Sequence, residues 1–237
     1  MKRIIFFIGL ILFFLIIFGW FFFFSGFFKI KEVQIIPQGI IDENLILEKI
    51  NQKKLCGIIS INNIFLIKEK YLKILLPEIE KIKFEKNFKD RVLKIYLKKR
   101  KEVLVWCQKD LKCFSIDENG IAFKESSFIK GLNLIYVFDD FKRKISLSKQ
   151  VAPPQTIKAI KKIYQDFKDK VSIDYFIYPK EELYEIHLKT KKGIFYFFNL
   201  KENILNQIEV LKNLINDKKI EVKHYFDLRS LPRFYYK

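Results

Sequence analysis

Few residues in this chain could do chemistry. A catalytic site needs convergent nucleophiles, bases or metal ligands, yet there are only two histidines. His187 shares a strand face with Glu185 and Lys189, opposite Tyr184, Ile186 and Leu188, the pattern of a solvated histidine. His224 stands in Val222-Lys223-His224-Tyr225 without a neighbouring serine or cysteine. Asp139 and Asp140 are adjacent, so on a strand they point to opposite faces and read as a loop-edge charge pair. Asp117-Glu118-Asn119-Gly120 lacks the ligand register of a calcium loop and reads as a turn. The chain's eight glycines form no phosphate-cradling loop. These residues predict no enzyme, no cofactor, no metal site and no small-molecule substrate.

Cys107 and Cys113 flank the loop of an expected hairpin, which sets their sulfurs opposite each other across the strands. They can form a disulfide outside the cytoplasm, or fill a strand face as two apolar thiols. Their spacing is not that of a zinc knuckle, and no histidine is near. Cys56 stands alone.

The balance is basic, 45 Lys and Arg against 27 Asp and Glu, for a net charge of +18. Such a surface suits anionic lipid, nucleic acid or an acidic partner. Only six of the basic residues are arginine, however, and they form no cluster. A lysine bias spread over the whole surface predicts no nucleic-acid groove.

The elements that must position these residues begin with an apolar run, Ile4 to Phe24. At about 1.5 Å per helical residue it spans roughly 32 Å, close to a hydrocarbon core of ~30 Å. It predicts a transmembrane helix over 4–26, contacting the lipid bilayer through residues 4–24, after a short tail at 1–3. A cleaved signal peptide is the rival reading, but Ser25 between Phe24 and Gly26 makes a poor cleavage site. Charges at the two ends of the run are nearly even, so they leave orientation open.

Beyond it, the pattern predicts a strand from Lys31 to Ile36, stopped by Pro37 and Gly39. Asp42 caps a helix to about Gln52, with Leu45, Ile46, Lys49 and Ile50 on one face. A loop through Gly57 and Asn62-Asn63 leads to a second helix, about Lys68 to Leu76. Strands follow at Ile79 to Glu85 and Val92 to Lys98, where Leu93, Ile95 and Leu97 alternate with polar neighbours. From Lys101 strands dominate, broken by a helix opened by Pro153-Pro154 and by an amphipathic helix from Lys201 to Asn216. A strand from Glu221 to Leu228 and a short one from Arg233 to Tyr236 end the chain. That last strand can lie at a sheet edge and accept a partner's strand, with Arg229 and Arg233 pairing with its carboxylates. Equally, it can be an edge protected by basic residues.

The order of these pieces resembles the bacterial cell-division protein family FtsQ, also called DivIB. Phe28-Lys29-Ile30-Lys31-Glu32-Val33, Asn63-Ile64-Phe65, and Phe84 to Phe88 running into Leu93 to Arg100 are similar to its POTRA domain. Cys113 to Phe123 is similar to its D-x-x-G hairpin, and Asp227-Leu228-Arg229 to its tail. Lys89-Asp90 and Lys99-Arg100-Lys101 depart from the proline-bearing family pattern.

The resemblance implies an α+β fold: a transmembrane helix, a POTRA domain at 27–100 in the order strand-helix-helix-strand-strand, and a β domain at 101–237. It implies a single-pass location in the cell membrane at the division septum, N-terminus inside. It implies a non-catalytic scaffold binding an FtsB/FtsL-type coiled coil and other divisome membrane proteins. The partner-binding residues would be Arg229, Ser230, Leu231, Arg233, Phe234, Tyr235 and Tyr236. The alternatives are a POTRA-type translocation or assembly factor and a membrane-tethered hydrolase.

Overall fold

The computed structural model describes residues 2–24, 26–38, 44, 46, 48, 54–55, 59–60, 64–65, 67–69, 72, 76–110, 112–129, 134–141, 144–180, 184–216 and 222–237. The expected cap Asp42, Leu45, Lys49, Ile50, Gln52, Cys56, Gly57, Asn62 and Asn63 lie outside them, as does Gly39. The chain divides into two compact units, Met1–Lys99 and Arg100–Lys237.

The first unit opens with helix α1 (Lys2–Phe24) and a single turn at Gly26–Phe28. Its strands are β1 (Glu32–Gln38), β2 (Lys54–Leu55), β3 (Ile59–Ser60), β4 (Ile79–Asn87) and β5 (Val92–Lys99). Strand β5 is central, parallel to β1 and antiparallel to β4. Leu93, Ile95 and Leu97 alternate inward from it and pack with Ile46, Ile67, Leu72 and Ile79. Pro37 does not stop β1, which continues to Gln38. The strand is at the sheet edge, where proline is tolerated.

Two expectations are corrected here. Among the described residues no helix is long and apolar enough to cross a membrane. That finding overturns the transmembrane helix of the expected fold and the single-pass membrane location. The fold class is corrected with it. Among the described residues strand outweighs helix, and of the three helices whose bounds are described two lie in the second unit. A helix-bearing POTRA domain behind a membrane anchor is therefore not the architecture; pairing of β1, β4 and β5 carries the first unit.

The second unit contains β6 (Leu104–Gln108), β7 (Cys113–Ile116), β8 (Ala122–Ser126), β9 (Tyr136–Asp139), α2 (Pro154–Phe167), β10 (Ile173–Tyr178), β11 (Glu185–Thr190), β12 (Phe195–Asn199), α3 (Ile204–Asn216), β13 (Tyr225–Asp227) and β14 (Tyr235–Tyr236). Its nine strands form one sheet in the order β14-β13-β12-β11-β10-β9-β6-β7-β8. One face is dry. Ile157, Ile160, Ile163 and Phe167 of α2, with Ile208 and Leu211 of α3, bury Trp106, Phe176, Leu188 and Phe198. Asp166 ties the helices together, pairing with Lys162 at 2.7 Å and Lys212 at 2.5 Å. Among the described residues, no helix of the second unit packs on the other face across its β10–β14 half. There Tyr175, Glu185, His187, Lys189, Phe195, Phe197, Tyr225 and Asp227 stand half-buried.

Candidate partner-binding edge

Among the described residues, the carboxyl-terminal strand β14 pairs with β13 alone and ends the sheet. Phe226 lies opposite Tyr236, and Asp227 opposite Tyr235. Lys237 donates its N–H to the Tyr225 carbonyl at 3.1 Å and accepts the Tyr225 N–H at 3.3 Å. Backbone direction alternates along an antiparallel strand, so Tyr236 turns its N–H and C=O away from β13, toward the free edge. The opposite edge is less open. Ala122 of β8 donates to the Lys149 carbonyl at 3.0 Å and accepts from Ser148 at 2.7 Å.

Side chains at the edge divide by face. Tyr235 and Tyr236 are 55% and 51% exposed. Phe234 is half-buried, packs on the main core and lies 6.4 Å from the Tyr236 ring. Ser230 accepts the Arg233 N–H at 3.1 Å, forming the turn that sends the chain back along β13. Leu231 is half-buried in that turn, while Ser230 and Arg233 are exposed.

Arg229 is not available to a partner in the way its sequence position predicts. One of its guanidinium nitrogens donates to both oxygens of Glu185, at 3.0 and 2.8 Å. Its other nitrogens take both oxygens of Asp227, at 2.9 and 2.6 Å. The guanidinium carbon stands 5.2 Å from the centre of the Phe197 ring beneath it. Asp227's hydrogen bond pushes the Arg229 pKa up; burial opposes this, and Glu185 adds to the rise. The Asp227 carboxyl, which burial alone would raise, is held below the usual carboxylate range by Arg229's hydrogen bonds and charge, with His187 contributing. The cluster therefore clamps β13 onto β11 across β12 and fixes the strand that carries β14.

His187 belongs to this cluster and is not a solvated side chain. Its Nε2 lies 3.1 Å from Glu185 and its ring 4.5 Å from that of Phe197, leaving the side chain 19% exposed. His224 is exposed. Asp139 is no loop-edge charge either: it is buried and accepts the Trp106 indole N–H at 2.9 Å, while Asp140 lies half-buried. Cys107 and Cys113 are register partners on β6 and β7 and are joined, S–S 2.04 Å. Among the described residues, no group of three or more His, Cys, Asp or Glu is placed to hold a metal ion.

Sequence reasoning missed Glu185 and Asp227 as supports of the edge. Asp227 and Arg229 sit two apart, a spacing that puts both on one strand face. No comparable signal links Glu185, which meets Arg229 only because β11 and β13 flank β12.

Compared with known proteins, the chain matches no family model and no curated protein.

Proposed function

We propose that this protein is a non-catalytic scaffold that captures a partner by adding the partner's strand to β14. The observation that carries the reading is the outer side of that strand, where the backbone groups of Tyr236 face outward and the side chains of Tyr235 and Tyr236 are exposed. An unpaired edge of this kind supplies main-chain hydrogen bonds for affinity, and its alternating side chains supply specificity. The Arg229 clamp holds the edge in place before binding, so less ordering entropy is lost on capture. The resemblance of the tail to the FtsQ/DivIB family points to an FtsB/FtsL-type division partner.

The test is capture of an FtsB–FtsL coiled coil by the full chain and by two variants, Tyr236→Pro and Tyr235→Asp. Proline removes the outward N–H. Aspartate places a like charge directly opposite Asp227, a destabilising pair. Both should abolish capture while leaving the circular dichroism spectrum intact. Undiminished capture by both would exclude this edge.

A further inference from the structure

A second recognition feature lies on the open face of the nine-stranded sheet, away from β14. Phe128, Phe138, Tyr175 and Ile177 enclose a pocket of about 370 Å³ with the carboxylates of Asp140 and Asp174 at its rim. Adjacent rings meet steeply: Phe128 and Phe138 at 68° with centroids 5.4 Å apart, Phe138 and Tyr175 at 68° and 4.8 Å. Rings so inclined form a cornered recess in place of a flat platform. Neither Asp140 nor Asp174 is salt-bridged to any described residue, in a chain that carries a charge of +18. Among the described residues Lys189 is a nearby cation. Its Nζ donates to the Tyr175 hydroxyl at 2.9 Å, stands 5.0 Å from that ring, and senses Asp174 through space. Among the described residues, one lysine leaves the two carboxylates in excess.

We propose that this pocket receives an arginine side chain from a partner protein. A guanidinium is planar, weakly hydrated and always charged; it stacks on aromatic faces and takes carboxylates through several parallel hydrogen bonds. Aromatic walls with an acidic rim match each of those properties. The recess is open to solvent, which suits a side chain projecting from a partner's surface better than a small ligand that must be enclosed. The arrangement is independent of strand capture at β14.

The probe is an acetylated, amidated peptide with one central arginine, set against its citrulline counterpart, which has the same shape and no charge. Ring signals of isotope-labelled phenylalanine and tyrosine in the full chain report binding. The arginine peptide should shift Phe138 and Tyr175 saturably, and the citrulline peptide should bind at least about tenfold more weakly. The near-isosteric Asp140→Asn/Asp174→Asn variant should lose a similar factor while still capturing a partner at β14. Phe138→Leu, which keeps the recess apolar but removes a ring, should weaken binding too. Equal binding of both peptides, no saturation, or full affinity in the double asparagine variant would overturn the proposal. Self-association of the chain abolished by that same variant would assign the pocket to a second copy and overturn it as well.

Discussion

Arg229 reaches over β12 and the Phe197 ring to hold both carboxylate oxygens of Glu185 at 3.0 and 2.8 Å. The same guanidinium holds Asp227 beside it, so one cation satisfies two half-buried carboxylates on two strands. Replacing Arg229 with methionine keeps most of the packing and takes the guanidinium from those carboxylates, leaving Glu185 its contact with His187 and Asp227 the backbone N–H of residue 229. The cation is one-third exposed, which tempers the loss. Stability should fall by about 2 kcal/mol, below the 3–5 kcal/mol of a fully buried pair. Glu185→Gln alone should cost less, since the amide still accepts a hydrogen bond. Urea midpoints of the two variants check the order.

Acid should act on the same cluster. The folded Asp227 pKa lies below its unfolded value, which is about 3.9 for a free aspartate. Its ionised form therefore stabilises the fold fully above the unfolded value, and this contribution is lost as pH falls through the folded value. Stability measured from pH 6 downward should drop less steeply below about pH 4 in Asp227→Asn than in the parent protein. Parallel curves would show that Asp227 carries no such linkage.

Asp117 should be harder to replace than a turn residue usually is. Its Oδ1 accepts the N–H groups of Asn119 and Ile121 at 2.9 and 2.8 Å, and its Oδ2 takes Arg100. Both side chains of the ion pair are buried, 6% and 3% exposed. Asp117→Asn keeps the turn's acceptor but removes the negative charge from a buried guanidinium, and should cost about 3 kcal/mol. Adding Arg100→Met should recover a large part of that loss. A double-mutant cycle by chemical denaturation measures the recovery.

Two glycines should respond differently to alanine. Gly120 has φ +76°, and a Cβ there would sit 2.0 Å from the Ala152 carbonyl oxygen. Gly193 has φ +84° with open space around it. Gly193→Ala should cost only the left-handed backbone penalty, about 1–2 kcal/mol. Gly120→Ala must also displace the segment bonded to the turn, where Val151 donates to the Gly120 carbonyl at 2.7 Å. Its melting temperature should drop well below that of Gly193→Ala.

What the sequence determined by itself was local. Alternation in Leu93, Ile95 and Leu97 located β5, Pro153-Pro154 located the start of α2, and hairpin spacing set Cys107 opposite Cys113. Each depends on side chains a few residues apart, where the period of a strand or helix decides what faces inward. A long apolar run was equally legible at the amino terminus, yet among the described residues no helix meets the length and apolarity needed to cross a membrane. Tertiary structure alone decided the strand order. That order put Glu185 within reach of Arg229, drew His187 into a half-buried cluster, buried Asp139 against Trp106 and, among the described residues, left β14 without an outer neighbour. Contacts between residues more than forty positions apart follow from which strands lie side by side, and periodicity along the chain carries no record of that.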